Sequence, residues 1–244
     1  MFLFLLITMK AIVLPLTSVP DTAEKITIQQ IENIVYEVGN LKKIPVDNKE
    51  LKHIWNISAE DIQQKKEICY MNPCVAQSLL TIHKLKAQKN IYINPEDITL
   101  GIEFLSYPDG RPSFHFFVTV KQQDKNIIID FSHDNKVFLY TGTYKNQNTK
   151  HHITSKQILT FPATDIQATD TIFDIAEKAG MNIETLKKQL SSQIQKLQDD
   201  NTPEQRAAFD ATNNTPLEII HLTNDEHSTT VKNTQKHIKS CLKN

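Results

Sequence analysis

The hydrophobic period of the chain changes near residue 90, and this change restricts the fold to a few classes. Before it, the segment 75–89 (VAQSLLTIHKLKAQK) places Val75, Leu79, Ile82 and Leu85 at helical spacing. After it come short apolar runs separated by turn-forming residues, a pattern typical of β-strands. The runs are IYI, ITLGIEFLSY, SFHFFVTV, NIIIDFS and KVFLYTG. One helix followed by four or five mostly antiparallel strands predicts an α+β fold, with the helix packed on the sheet.

Helical patterns flank this central part on both sides. Residues 26–38 repeat apolar side chains at helical spacing, and Ser58 precedes Glu60 and Asp61 as a helix cap does. On the other side, residues 183–197 form one apolar helix face, and Thr202-Pro203 resembles another helix start. The predicted organisation has four parts. They are a signal peptide over 1–20, a helical N-terminal region over 21–65, a catalytic core over 66–165 and a helical C-terminal region over 166–244.

The first sixteen residues are strongly apolar and are interrupted by Lys10. A membrane-spanning helix needs about 18 or more uninterrupted apolar residues, so we expect no integral membrane span. A signal peptide fits the run better, which predicts a secreted or periplasmic protein. The alternative is a buried strand or helix of the mature fold, in which case the protein is cytoplasmic.

Composition excludes several function classes. The net charge of the 244 residues is −1, so no overall field favours nucleic acid as a partner. Only five glycines are present, and no Gly-rich phosphate-binding motif occurs, so we expect no nucleotide cofactor and no other cofactor. His133 and the adjacent His151 and His152 lack the spacing of metal ligands, so we expect no metal site.

Among the three cysteines, Cys74 has the setting of a nucleophile. Asn72 is a good N-cap, Pro73 suits the first helical position, and Cys74 then lies in the first turn. Free backbone N–H groups and the helix dipole favour an anion there, and the thiolate is the reactive form of cysteine. The alternative is that Cys74 is an inert, small buried residue.

His115 and Asp130 lie in successive predicted strands. A hairpin centred on Gln122-Gln123 pairs Val118 with Ile127 and places His115 directly opposite Asp130, on the same face of the sheet. Asp130 follows three isoleucines, and a carboxylate buried in such a run needs a partner. The alternative is that both polar side chains lie on a solvated strand face.

The order Cys74, His115, Asp130, with the last two in HFFVTVKQQDKNIIID, resembles the transglutaminase-like superfamily of papain-type topology. In that family a Cys opens a helix, a His begins a strand, and an Asp ends the returning strand about fifteen residues later. Phe117 matches the aromatic residue that the family often has two positions after its His. The resemblance covers about residues 66–145 and implies a papain-like core.

The resemblance implies a cysteine hydrolase or acyltransferase acting on amide bonds of a protein or peptide, of protease, deamidase or transglutaminase type. Cys74 would attack the carbonyl, His115 would act as acid and base, and Asp130 would orient His115. The oxyanion would be held by the backbone N–H of Cys74 and a side-chain donor, for which Asn72, Gln63 and Gln64 are candidates.

The alternative function is a catalytically silent interaction module that binds a partner through its C-terminal helices. The tail 229–244 carries four lysines and a thin apolar stripe, which suits either partner binding or a solvated terminal helix.

Overall fold

The protein has an α+β fold in the computed structural model, as the sequence predicts. The structure describes residues 26–44, 56–69, 73–88, 93–108, 110, 112–132, 135–145, 154–184, 186–188, 191, 202–204, 207 and 215–222. The elements, in chain order, are α1 (Ile28–Gly39), β1 (Lys42–Ile44), α2 (Ala59–Lys65), β2 (Glu67–Cys69), α3 (Pro73–Lys86), β3 (Ile98–Ser106), β4 (Pro112–Gln122), β5 (Lys125–Phe131), β6 (Lys136–Thr141), β7 (Thr154–Pro162), α4 (Ile172–Lys178) and β8 (Glu218–Leu222).

Six strands form the main sheet, in the order β7-β3-β4-β5-β6-β8. All neighbours pair antiparallel except β6 and β8, which are parallel. Strands β3 to β6 confirm four of the runs predicted from the sequence. The fifth run, IYI, falls mostly outside the described residues, and its Ile93 is not in a strand. The sequence pattern did not predict the two edge strands, β7 and β8.

Helix α3 packs against one face of this sheet, and α1 and α2 pack against α3. The predicted stripe of α3 is buried, and so are most of its other side chains, including polar Gln77, Ser78 and Thr81. The core of the helix–sheet layer draws on alternate strand residues. They include Leu100, Ile102, Phe114, Phe116, Val118, Val120, Ile127 and Ile129. A helix covered on nearly every side is the central element of the fold.

Side-chain caps set the starts of the N-terminal helices where the sequence predicts them. Thr27 and Gln30 form a capping box at α1, in which each side chain bonds the other residue's backbone N–H. Ser58 and Asp61 do the same at α2, which ends at Lys66 in the left-handed conformation.

Both flanking regions contain more than the helices that the sequence predicts. The N-terminal region includes β1, which pairs parallel with β2 to form a small second sheet. In the C-terminal region, residues 183–184, 186–188, 191, 203–204 and 207 are helical, but β8 joins the main sheet. The signal peptide, the rest of the 183–197 helix and the 229–244 tail lie outside the described residues. Within the described part of the chain, no helix is both long and apolar enough to cross a membrane.

Candidate active site

Cys74 lies in the first turn of α3, as the sequence predicts. Pro73 is the first residue of the helix and Cys74 is the second. Backbone N–H groups in a first turn have no partner within their own helix, so this position favours an anion. Cys74 is a free thiol and is 1% exposed. The predicted N-cap, Asn72, lies outside the described residues.

The hairpin of β4 and β5 carries His115 and Asp130 on one face, but the predicted register is wrong by two residues. Asp130 pairs with Phe117 rather than with His115, and Val118 pairs with Ile129. The turn is centred on Gln123-Asp124, one residue later than predicted, and Gln123 adopts a left-handed conformation there. Moving a turn centre by one residue moves the pairing by two. Because side chains alternate with a period of two, the two residues still share a face.

His115 lies beside both of the other two residues. Its Nε2 lies 2.5 Å from Oδ1 of Asp130, and the Cys74 thiol is near enough to the ring to help raise the pKa of His115. Because the carboxylate engages Nε2, Nδ1 is the ring nitrogen that remains for the thiol. His115 lies two residues before Phe117, whose pairing with Asp130 is the last that β4 and β5 form among the described residues. Three distant segments of the chain therefore meet at one imidazole.

Burial and charge act in opposite directions on His115. Its exposed fraction is 5% and that of Asp130 is 2%, so water screens their interaction little. Burial alone would lower the pKa of His115. The charge and hydrogen bond of Asp130, with those of Cys74, outweigh burial and raise the pKa of His115 well above its ordinary value of 6.5. The direction of this shift favours the protonated form of the imidazole.

Two residues beside His115 were missed by the sequence analysis. Glu103 lies directly opposite His115 in the β3–β4 pairing and is 1% exposed. The Tyr144 hydroxyl donates to Oε2 of Glu103 at 2.9 Å. The signal for Glu103 was present, because it is a single acid within the apolar run ITLGIEFLSY, as Asp130 is within NIIIDFS. Glu103, His115, Phe117 and Asp130 lie on the same face of the sheet.

The other predicted site residues are not brought to this cluster by any contact among the described residues. Gln63 and Gln64 are exposed on α2, and Gln64 bonds Glu60 on the same helix at 3.3 Å. His133, His151 and His152 lie outside the described residues. Within the described part, no group of three or more His, Cys, Asp and Glu side chains is placed to hold a metal ion.

Comparisons with protein-family models, curated proteins and solved structures find no match to this chain.

Proposed function

We propose that this chain is a cysteine hydrolase or acyltransferase that acts on amide bonds, with a transglutaminase-like, papain-type catalytic core. The observation that carries the proposal is the position of His115, which bonds a buried carboxylate and lies beside a buried thiol. A single imidazole with both partners is the arrangement by which such enzymes form a thiolate–imidazolium pair.

In the proposed mechanism, the Cys74 sulfur attacks the carbonyl carbon of an amide and forms a tetrahedral intermediate. The backbone N–H of Cys74, in the first turn of α3, supports the oxyanion. His115 gives its proton to the leaving amine as the C–N bond breaks, which leaves a thioester on Cys74 and a neutral imidazole. His115 then takes a proton from water or from an acceptor amine, which attacks the thioester; the C–S bond breaks and releases the Cys74 thiolate, and this restores the thiolate–imidazolium pair. Asp130 keeps the ring oriented through both halves of the cycle.

The acceptor determines the reaction class. Water gives a protease or a deamidase, whereas an amine gives a transglutaminase. Intact mass spectrometry of a glutamine-containing protein, incubated with the chain with and without an added amine, distinguishes these outcomes. Fragments indicate proteolysis, a gain of about one dalton indicates deamidation, and an amine adduct indicates transfer. Cys74→Ala is the control, and the proposal requires that it abolish every such change.

One observation favours the alternative of a catalytically silent interaction module, because Cys74 is only 1% exposed. A buried cysteine with no activating partner is inert. The two hypotheses differ in what His115 does, because an active site needs the imidazole to maintain the thiolate, whereas an inert thiol does not. The rate of Cys74 alkylation in wild type and in His115→Ala separates them, because removing the buried imidazole beside the thiol can open access to the sulfur but cannot close it. We also propose that the protein is exported. N-terminal sequencing of the mature protein tests this, because it shows whether the predicted signal peptide over residues 1–20 has been removed.

A further inference from the structure

Glu103 and Tyr144 lie beside His115, and the mechanism above uses neither of them. Directly opposed residues in an antiparallel pair have Cβ atoms about 5 Å apart, and diagonal neighbours about 7–8 Å. Glu103 is directly opposite His115, whereas Asp130 is opposite Phe117 and therefore diagonal to His115. From the strand pairing alone, Glu103 is the better placed of the two acids to bond the imidazole. The structure nevertheless bonds the imidazole to Asp130.

Tyr144 is one residue that engages the Glu103 carboxylate. Its hydroxyl donates to Oε2 of Glu103 at 2.9 Å, which engages that carboxylate. Burial raises the pKa of Tyr144 far above its usual range, and the negative charges of Asp130 and Glu103 raise it further. The hydroxyl therefore remains protonated and remains a donor at every pH at which the protein would act.

The Tyr144 ring is fixed as well as its hydroxyl. It stacks on Phe117 with the ring centroids 3.6 Å apart and the planes 1° from parallel. It also faces the His115 ring at 6.4 Å and 23°. The backbone beside it is held by Tyr140, whose hydroxyl accepts from the Lys145 N–H at 3.0 Å and donates to the Lys145 carbonyl at 3.2 Å. The Tyr144 ring is therefore held in one orientation beside the imidazole.

We propose that Tyr144 is a positioning residue for His115. Its hydroxyl holds the Glu103 carboxylate, which leaves the imidazole bonded to Asp130 and turned toward Cys74. This inference rests on the proposed function, because it assigns Tyr144 the task of maintaining the geometry that activates the thiol.

The test uses the full chain and measures the rate at which iodoacetamide alkylates Cys74, followed by peptide mass mapping. Tyr144→Phe keeps the stacked ring but removes the hydroxyl, so Glu103 can compete for the imidazole. We expect alkylation to slow about tenfold, the factor expected for one hydrogen bond to a charged group. Glu103→Gln removes the competing charge. We expect that variant, and the double variant with Tyr144→Phe, to react within about threefold of wild type.

Rescue by the second substitution is the result that a purely structural role for Tyr144 would not give. Tyr36→Phe, at a tyrosine that is 58% exposed on α1, is the matched control and should leave the rate unchanged. In Tyr144→Phe, the ¹⁵N shifts of the His115 ring should also change, and they should return toward wild type in the double variant.

The inference is overturned if Tyr144→Phe reacts at the wild-type rate, or if Glu103→Gln does not restore the rate that Tyr144→Phe loses. His115→Ala, measured in the same series, separates this failure from failure of the proposed function. If His115→Ala slows alkylation and Tyr144→Phe does not, only the role of Tyr144 is refuted. If His115→Ala has no effect, both proposals fall together.

Discussion

Replacing Asp130 by Asn should remove the charge that keeps His115 protonated while preserving the shape of the side chain. The carboxylate oxygen lies 2.5 Å from Nε2, and the two residues are 2% and 5% exposed, so solvent screening offers little compensation. An opposite charge at this range shifts a pKa by about 1–3 units. That shift corresponds to roughly 1.4–4 kcal/mol. In the variant, burial would act on the imidazole without the opposing charge of Asp130.

We therefore expect the NMR titration midpoint of the His115 ring to fall in Asp130→Asn, because the negative charge that raises the pKa of His115 is lost. Alkylation of Cys74 at about pH 6 should slow by roughly tenfold or more, because the imidazolium partner of the thiolate is lost. Asp124→Asn, at an exposed residue in the turn of the same hairpin, is the control and should change neither quantity.

The sign of the pH dependence follows from the raised pKa of His115. Stabilisation of the folded state by a protonated His115 is complete below pH 6.5 and is lost as pH rises through the raised pKa. Asp130→Asn should therefore lower the free energy of unfolding more at about pH 6 than at alkaline pH. A ring midpoint that stays in place in Asp130→Asn would refute the argument that the Asp130 charge holds the proton on His115.

Two further predictions test the packing behind the site and the start of α2. Gly101→Ala should destabilise the protein by about 1–3 kcal/mol in chemical denaturation, because a Cβ there would overlap the Phe117 ring. Adding Phe117→Leu should relieve part of that loss, and an unchanged penalty would show that the ring is not the obstacle. Ser58→Ala should cost about 1 kcal/mol, because it removes the acceptor for the Asp61 N–H. Ser155→Ala, at an exposed strand position, is the control and should stay within about 0.5 kcal/mol of wild type. Equal losses of stability in Ser58→Ala and Ser155→Ala would contradict the capping role of Ser58.

Local sequence signals were sufficient for much of the fold. The starts of α1 and α2 follow from capping residues that act within four positions, and the start of α3 follows from Pro73. Strands β3 to β6 follow from apolar runs bounded by turns. The strand β8 could not be predicted in this way, because Glu218–Leu222 pairs with β6 over a long sequence separation and has only partly buried or exposed side chains.

The candidate site was predictable because its three residues each lie in a recognisable local setting. The hairpin register was not predictable, because it depends on which residue of a polar turn adopts the left-handed conformation, and six polar residues in succession (121–126) offer several choices. His115 and Asp130 lie on one face of the sheet, as predicted, because the observed register differs from the predicted one by an even number of residues. Tyr144 was missed because its contact with Glu103 is long-range and no periodicity marks it.

In the proposed mechanism the Cys74 thiol owes its reactivity to His115, and the rate of Cys74 alkylation as a function of pH tests this dependence. Wild type should react rapidly with iodoacetamide at about pH 6, well below the ordinary cysteine range near 8.5, and His115→Ala should lose this reactivity while remaining folded. If Cys74 reacts equally slowly in both proteins and gains reactivity only near the ordinary thiol range, the sulfur and the imidazole are neighbours without a catalytic relation.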